Sequence, residues 1–419
     1  MRCTIVGAGL LGLTTAWFLR RHGLDVEVLE SGAGPGLGTS FANGGMLHAS
    51  QASPWNEPGV LAQVLKTFGR EDSALLIRPR ALLGMLPWAW QFFRNARPQR
   101  FNENLLSNAR LAAYSLTVLE RELSSLPLDF DRAGRGTLKV YRTAAELDNA
   151  ARVAARCRDW DVAYTLLDAA GIAALEPALA PITDQLSGGI HFPGDVSGDA
   201  HKFCCELARC CEQAGVAFEY GANVERFLVR GACVQALIVN GVEREIDSCV
   251  VAAGSNSARL LATARVRVPI QPVKGYSLTL PTDSWAQSPA VPVIDEHFHA
   301  AVCPLGTRLR VAGTAEFAGF DATLSPGRVE NLFTLLQALY PVGAAGVDRQ
   351  QCQQWAAFRP MSPDGVGLMG ETPCRGLFIN AGHGHLGWTM APGAGKLVAD
   401  CVAGVAPEID PGSYLPARF

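Results

Sequence analysis

The sequence lacks the features that mark several common protein classes. Nowhere in its 419 residues does it offer the roughly 18 consecutive apolar residues that a membrane-spanning helix needs. It has no excess of basic charge, because 36 Lys and Arg against 39 Asp and Glu leave a formal net charge of -3. The charge balance therefore argues against a nucleic-acid partner. Internal repeats and low-complexity tracts are also missing, which excludes a solenoid or a disordered chain.

The twelve cysteines follow no pairing pattern. The chain contains no CxxC pair and none of the spacings that indicate a zinc site. The adjacent pairs Cys204-Cys205 and Cys210-Cys211 fall in a stretch that is expected to be helical, where they are most simply core thiols. Unpaired thiols in this number suit a reducing compartment, so we expect a cytoplasmic protein without a metal site.

What the sequence does have is the composition of a large α/β protein. Hydrophobic residues make up 48% of it and 43 residues are glycine, which indicates a buried core with many tight turns. The length exceeds that of most single domains, so two domains are expected.

The first thirty residues carry the most informative motif. A short β-rich run over 2–6 leads directly into a GxGxxG sequence, and a helix is predicted from about residue 10 to residue 22. Gly23 would end that helix, and 26–29 would form a second strand with Glu30 at its carboxyl end. The glycine motif consists of Gly7, Ala8, Gly9, Leu10, Leu11 and Gly12.

Each part of this unit has a physical role in binding a dinucleotide. Gly7 permits the tight turn, Gly9 lets the backbone approach a pyrophosphate, and Gly12 lets the helix pack closely on the strand. The helix N-terminus offers free N–H groups to phosphates. Glu30 would accept hydrogen bonds from ribose hydroxyls and would repel a 2′-phosphate, which favours FAD or NAD over NADP.

The alternative interpretation of this segment is a secretory signal, since Arg2 precedes an apolar run. Three glycines within the run argue against it, as does Arg20-Arg21-His22 where small cleavage-site residues belong.

A glycine-rich loop follows Glu30. Its backbone could wrap closely around a flat or charged ligand, while its small polar side chains donate hydrogen bonds. The alternative is a flexible connector. We predict that the cofactor contacts here are Ser31, Thr39, Ser40, Asn43, Gly44, Gly45 and Met46.

The middle of the chain alternates predicted helices and strands. Helices are expected over 110–126, 144–169 and 200–215, and strands of a nucleotide-binding sheet over 217–220, 224–227 and 249–252. The last of these ends in a turn at Ala253 and Gly254, close to the expected dinucleotide. Strands of a second, mostly antiparallel sheet are expected over 137–141, 188–192, 273–280 and 308–313.

The end of the chain repeats the order of strand, glycine loop and helix. Residues 377–380 are predicted to be a strand, 381–388 a loop and 389–403 a helix, whose N-terminus could hold negative charge on a second part of the cofactor. Just before them, Arg359 stands alone among apolar and turn residues.

One apolar and aromatic stretch is a candidate surface element. Residues 81–93 lead into Arg94, Arg97 and Arg100, as in an interfacial membrane anchor. The other interpretation, an ordinary core helix, remains open.

Seven motifs together resemble the FAD-dependent amine and amino acid oxidoreductases of the D-amino acid oxidase type, and within them the D-amino acid dehydrogenases of the small-subunit type. The resemblance runs from end to end. The motifs are 7–12, Asn43-Gly44-Gly45, Pro54-Trp55, Gly136-Thr137-Leu138, 274–279, 359–365 and 382–390.

The resemblance implies an α/β fold in which a Rossmann-type FAD-binding domain carries an inserted α+β substrate domain built on a mostly antiparallel sheet. We expect the first domain to comprise 1–80, 195–268 and 355–419, and the second 81–194 and 269–354. In relatives the arginine matching Arg359 clamps the substrate carboxylate, which suits a guanidinium fork. The other catalytic candidates are Lys274, Tyr276 and His383.

Further cofactor contacts follow from the same resemblance. The final glycine loop would meet the pyrimidine edge of the flavin and stabilise negative charge there. His385 and the segment from Asn43 to His48 depart from the family pattern, which leaves the substrate range open. The expected contacts are Val224, Ala253, Gly254, Gly384, His385, Leu386, Gly387, Trp388 and Thr389.

The implied reaction is oxidative deamination of a D-amino acid to a 2-oxo acid and ammonia, with electrons passed to a quinone or another respiratory-chain acceptor. The chain would then be cytoplasmic, with possible peripheral contact between 81–93 and the inner face of the cell membrane. Three alternatives stay open: a dehydrogenase of D-hydroxyproline or another cyclic amine, a glycine or sarcosine oxidase that uses oxygen, and a non-catalytic protein that binds flavin within a larger complex.

Overall fold

The computed structural model describes residues 2–67, 69–71, 73, 75–157 and 162–419. Its strands, in chain order, are β1 (Arg2–Val6), β2 (Asp25–Glu30), β3 (Met46–Leu47), β4 (Leu75–Ile77), β5 (Thr137–Tyr141), β6 (Thr165–Leu167), β7 (Gly188–Phe192), β8 (Val196–Ser197), β9 (Ala217–Tyr220), β10 (Val224–Arg230), β11 (Cys233–Val239), β12 (Val242–Glu245), β13 (Ser248–Val251), β14 (Gln271–Pro281), β15 (Val293–Asp295), β16 (Ala300–Leu305), β17 (Arg308–Phe317), β18 (Gln353–Met361), β19 (Leu368–Glu371) and β20 (Leu377–Ala381).

The helices are α1 (Leu10–Arg21), α2 (Val60–Thr67), α3 (Pro79–Asn95), α4 (Pro98–Val118), α5 (Ala144–Cys157), α6 (Ala169–Leu175), α7 (Ala200–Gln213), α8 (Ser257–Thr263), α9 (Pro326–Leu339), α10 (Pro341–Ala344) and α11 (Gly387–Ala403). One π-helical turn, Leu119–Leu123, continues α4.

A six-stranded sheet holds the nucleotide-binding unit. Its strand order is β19-β20-β13-β1-β2-β9, and every pair is parallel except β19 with β20. Buried side chains of α1, α7 and α11 form one core cluster against this sheet. The expected α/β fold with a Rossmann-type unit is confirmed.

A nine-stranded sheet forms the second layer. The order β18-β14-β17-β16-β15-β5-β7-β6 is antiparallel except between β15 and β5, and β4 adds in parallel to β17. The four strands expected to share a sheet all lie in it. Its core cluster packs against α9.

The division into two domains stays a prediction, but two strands do not follow its expected boundaries. β4 and β18 belong to the nine-stranded sheet, although β4 and most of β18 lie in ranges expected for the nucleotide-binding domain. β18 pairs with β14 over its whole length, from Gln353 opposite Thr279 to Met361 opposite Gln271. Arg359 therefore reaches the site from the sheet of the second layer.

Three local expectations were wrong. The helix expected over 110–126 begins earlier, at Pro98, because proline is favoured in the first turn. Part of the helix expected over 144–169 is instead β6, which pairs with β7 at the edge of the sheet, while 158–161 lie outside the described residues. The strand expected over 224–227 belongs not to the nucleotide sheet but to a separate antiparallel sheet, β10-β11-β12.

Candidate active site

A cavity of about 2160 Å³ is lined by residues of both large sheets. Ordinary small-molecule sites reach about 1,000 Å³. The cavity therefore has room for a dinucleotide and a substrate together.

The glycine turn between β1 and α1 forms one end of the cavity. Gly7 has a φ of +109°, and a Cβ atom there would stand 2.6 Å from the Ala252 carbonyl oxygen. A Cβ on Gly12 would stand 1.9 Å from the Gly7 carbonyl oxygen. By contrast, the nearest atom to a Cβ on Gly9 is Ser40 Oγ at 3.4 Å. Two of the glycines are thus required by the fold, while Gly9 keeps one side of the turn open to the cavity.

Glu30 fixes this end of the cavity. Its carboxylate accepts hydrogen bonds from the Ala8 and Gly32 backbone N–H groups, each at 2.7 Å, and the side chain also lines the cavity. The Ser31 hydroxyl also donates to this carboxylate, at 3.3 Å. A carboxylate has about four acceptor positions, so about one remains for a ribose hydroxyl.

Hydrogen bonds hold the glycine-rich loop over the cavity. Thr39 Oγ1 donates to the Phe358 carbonyl at 2.7 Å, and the Leu10 N–H donates to Ser40 Oγ at 3.3 Å. The Asn43 carbonyl accepts from the buried Arg310 guanidinium at 2.8 Å. The loop polar groups expected to face a ligand therefore also serve to position the loop.

Most of the predicted cofactor residues come together along this cavity. The lining includes Gly7, Gly9, Leu10, Leu11, Glu30, Ser31, Thr39, Ser40, Asn43, Gly44, Met46, Val224, Ala253, Gly254, Gly384, His385, Gly387 and Trp388. The structure places five others behind the wall: Ala8, Gly12, Gly45, Leu386 and Thr389. One of these, Thr389, accepts a hydrogen bond from the His48 N–H at 3.1 Å and so ties α11 to the loop.

Arg359 also lines the cavity, in a position built by two neighbours. Its guanidinium lies flat over Gly275, where a Cβ atom would stand 2.5 Å from Arg359 Cζ. The ring centroid of Trp55 is 5.5 Å from the same Cζ atom. Glycine at 275 is therefore what lets the guanidinium rest on β14.

No carboxylate of the described residues forms an ion pair with Arg359. Its Nη1 donates to the Thr314 carbonyl at 2.9 Å, which leaves most of its five N–H donors for another acceptor. Burial, and then the nearby Arg328, lowers the pKa of Arg359 to about 10, so it stays charged at neutral pH. The half-buried side chain lines the cavity, where a bound anion would be its natural partner.

Thr314 holds this arrangement in a strained conformation. Its φ is +56°, which a β-branched residue rarely adopts, and that turn directs its carbonyl to Arg359. Sequence analysis missed Thr314, because nothing in the residue type signals a positive φ.

Three histidines near the cavity are neutral. Burial lowers the pKa of His48 to about 4 and the pKa values of His383 and His385 to about 3. The His385 ring stacks on Trp55 with ring centroids 5.3 Å apart. His383 is 1% exposed and lines the cavity at its edge. Neither ring nitrogen of His383 has a hydrogen-bond partner among the described residues, and a buried neutral imidazole of this kind does not readily take up a proton.

The structure does not bring Lys274 and Tyr276 to Arg359. Both belong to an ionic network around Glu316, which is 1% exposed. Lys274 Nζ lies 3.5 Å from Glu316 Oε2, and the Tyr276 hydroxyl donates to the same carboxylate. Because side chains alternate along a strand, Lys274 and Tyr276 point to the face opposite Gly275. Tyr276 meets the cavity wall, but its ring lies in the core cluster.

A polar group in the cavity was also missed by sequence analysis. Lys139 forms an ion pair with Glu296 and donates to Gln51 Oε1 at 3.1 Å. These three residues lie far apart in the sequence, so no local pattern could join them.

The residues present fit a flavin dinucleotide. Gly9 leaves a cradle that a Cβ would fill, and Glu30 offers a free acceptor position nearby. At the other end, Gly384 and Gly387 line the cavity where the buried helix α11 begins, and its N–H groups lack intrahelical partners. The glycine turn and the start of α11 are two sites for negative charge, and Glu30 at the end of β2 is a site for a ribose. These three sites match the parts of FAD.

Comparison with known proteins gives a consistent picture. A family model described as DAO, FAD dependent oxidoreductase, matches residues 2–401. A D-amino acid dehydrogenase from Cereibacter sphaeroides is 40% identical over 410 residues, which cover 98% of this chain and 93% of that protein.

Two solved structures show the same fold over nearly the whole chain. A glycine oxidase from Geobacillus kaustophilus has a TM-score of 0.75 and 24% identity, and covers 100% of this chain and 99% of its own. An L-proline dehydrogenase from P. horikoshii has a TM-score of 0.76 and 17% identity, and covers 100% of this chain and 97% of its own.

Proposed function

Since the chain belongs to the DAO family of FAD-dependent oxidoreductases, we propose that it oxidises D-amino acids to 2-oxo acids and ammonia. The observation that carries this proposal is the charged Arg359 without an acidic partner among the described residues, facing a cavity that fits FAD. The name of the relative from Cereibacter sphaeroides supports the D-amino acid as substrate.

The chain's own residues bind and orient the substrate. Arg359 would hold the carboxylate, and Gly275, Trp55 and Thr314 would hold Arg359. When bound, FAD supplies the acceptor for the hydride from the α-carbon, and the resulting imine is hydrolysed. The N–H groups at the start of α11 would favour negative charge at that end of the cavity.

We assign different roles to the other catalytic candidates. His383 is proposed to pack against Gly367 behind the glycine loop and not to act as a base, because its pKa near 3 makes it a poor base at neutral pH. Lys274 and Tyr276 are proposed to hold β14 against β17 through Glu316, and so to support the platform under Arg359 from behind.

The electron acceptor is proposed to be a quinone at a membrane surface. Within the part of the chain that the structure describes, no helix is long and apolar enough to span a bilayer. Contact would therefore be peripheral, and α3 is the candidate element, because it exposes Leu83, Leu86 and Trp90 to solvent.

Arg359→Ala tests the substrate clamp. Truncating one partner of a buried charge pair costs about 2–5 kcal/mol, so KM for D-alanine should rise about 30-fold or more. FAD content and the flavin spectrum should stay those of the wild type, because the hydrogen bond of the Arg359 side chain goes to Thr314 and not to the glycine turn. Steady-state kinetics with a soluble dye acceptor would measure this, and an unchanged KM would refute the clamp.

Anaerobic bleaching of the flavin by a panel of D- and L-amino acids and cyclic amines tests the substrate class. Bleaching by several D-amino acids is expected. Bleaching by D-hydroxyproline alone would indicate a cyclic amine dehydrogenase, and rapid turnover with oxygen would indicate an oxidase. A flavin that no compound bleaches would indicate a non-catalytic flavin-binding protein.

A further inference from the structure

An apolar lobe of the cavity lies next to Arg359. The lobe coincides with a small hydrophobic cluster from β4, α3 and β17, in which every member except Val273 and Met361 also lines the cavity. Its walls include Leu75, Ile77, Met85, Phe92, Ala315 and Phe317. This part of the core is thus open on one side, and an apolar group of a bound molecule would complete its packing.

The sheet places the lobe on the face that carries the guanidinium. β4 pairs with β17 beside Ala315 and Phe317, which both line the cavity. Because side chains alternate along a strand, these two residues point away from the face of Glu316. Gly275 also lies on the face away from Glu316, and the guanidinium of Arg359 rests on it. The clamp and the lobe therefore share one face of the sheet.

Direct contacts join the lobe to the clamp. The Trp55 ring packs against the cluster, and its centroid is 5.5 Å from Arg359 Cζ. Trp88 Nε1 donates to the Met361 carbonyl at 3.0 Å, which fixes α3 to β18 two residues after Arg359. A ligand held at Arg359 by its carboxylate would therefore have its side chain at the mouth of the lobe.

The chemistry of the lobe selects an apolar side chain. No described member of the cluster carries a charge, and its indoles supply its only N–H groups. The indole N–H of Trp88 is already bonded to the Met361 carbonyl. A charged side chain would lose its hydration here without gaining a partner. By contrast, burying a large apolar side chain favours binding by about tenfold or more.

The charged part of the cavity lies farther from the clamp. Lys139 is on β5, which is three strands from β17 in the order β17-β16-β15-β5, or about 14 Å at the usual strand spacing. It is also already paired with Glu296. β4, in contrast, is a direct neighbour of β17, so the apolar lobe is the space within reach of a side chain held at Arg359.

We propose that the lobe binds the substrate side chain, so that the enzyme prefers D-amino acids with a large apolar or aromatic side chain over D-alanine and D-lysine. The inference rests on the proposed function and names the substrate class of the same site. Met85, Phe92 and Phe317 contact the substrate side chain, and the small residues Ala89 and Ala315 leave room for it.

The test uses the complete FAD-loaded protein and the variant Ala89→Phe, which adds a ring to the wall of the lobe. The matched control is Ala113→Phe, because Ala113 is also a half-buried helical alanine but does not line the cavity. The value of kcat/KM is measured for D-phenylalanine, D-alanine and D-lysine with a soluble dye. Binding of 3-phenylpropionate and propionate, which have no amine to oxidise, is measured from the change in the flavin spectrum.

Wild-type kcat/KM for D-phenylalanine should exceed the values for D-alanine and D-lysine at least tenfold. In Ala89→Phe, the ratio of kcat/KM for D-phenylalanine to that for D-alanine should fall at least tenfold, whereas the control should keep the wild-type ratio. An unchanged ratio in Ala89→Phe would overturn the inference, as would a wild-type preference for D-alanine or D-lysine.

A second variant, Phe92→Glu, tests the lobe in the opposite direction. Its carboxylate would pair with an ammonium group, so the ratio of kcat/KM for D-lysine to that for D-phenylalanine should rise at least tenfold. A wild-type ratio in this variant would also overturn the inference.

The carboxylate probes separate this inference from the proposed function. If the wild type oxidises no D-amino acid, the proposed function fails, and the binding of the probes then decides the role of the lobe. 3-Phenylpropionate should bind the wild type at least tenfold more tightly than propionate, and Ala89→Phe should remove this difference. Equal binding of both probes by the wild type would overturn the inference.

Discussion

At the residue scale, Gly275 decides where Arg359 can lie. A methyl group at 275 would stand 2.5 Å from Arg359 Cζ, so the guanidinium must move off the strand. We expect Gly275→Ala to raise KM for D-alanine about 10- to 100-fold, because small displacements of a positioning group are costly. FAD binding should be unchanged. Gly327→Ala is the matched control, since a Cβ there has no atom within 4 Å. Equal KM values in both variants would contradict this platform role.

Substitution of Tyr276 tests whether this residue has a catalytic or a structural role. Its hydroxyl donates to the buried Glu316, and burial raises the pKa of Tyr276 to about 12. Tyr276→Phe should therefore lower the free energy of unfolding by about 1–3 kcal/mol through the lost hydrogen bond. KM and kcat should change less than threefold. Denaturant unfolding and steady-state kinetics check both values, and a large fall in kcat with normal stability would restore the catalytic assignment.

At the scale of the β1–α1 element, alanine substitutions at two glycines of one motif should have different effects, one on stability and the other on FAD binding. Gly12→Ala places a methyl group 1.9 Å from the Gly7 carbonyl oxygen, so the turn itself cannot form and the apoprotein should be destabilised. Gly9→Ala meets nothing closer than 3.4 Å in the protein, so the apoprotein should keep its thermal midpoint but bind FAD weakly. Thermal unfolding of both apoproteins and FAD titration distinguish the two effects. Wild-type FAD affinity in Gly9→Ala would exclude a pyrophosphate at this turn.

At the scale of the whole molecule, the buried histidines set the response to acid. The folded-state pKa values of His48, His383 and His385 lie below the usual 6.5, so between pH 6.5 and about 4 the unfolded chain binds protons that the folded chain does not. Stability should therefore fall as pH falls, by up to about 1.4 kcal/mol per pH unit for each histidine. Asp195 acts in the opposite direction, because burial raises its pKa to about 7.

The variant His385→Gln measures how much of this loss of stability at low pH comes from His385. Urea unfolding at pH 7 and pH 5 should show a smaller loss of stability in the variant than in the wild type. An equal loss in both proteins would mean that His385 is protonated in the folded state.

The amino acid sequence by itself determined the nucleotide end of the protein. The strand, glycine turn, helix and Glu30 are adjacent in the chain, so their periodicity and spacing predicted the unit. The same holds for β20, the loop after it and α11. The sequence is sufficient to predict a motif wherever consecutive residues form it.

Only the tertiary structure decided how the substrate end is built. Gly275, Thr314 and Trp55 come from three separate segments and meet at Arg359. Strand pairing brings Gly275 and Thr314 there, and Trp55 packs against the guanidinium from a loop. Lys274 and Tyr276 pair with Glu316 and point away from Arg359, because strand alternation gives them the face opposite Gly275. Contacts between distant segments depend on sheet register and packing, which sequence periodicity does not specify.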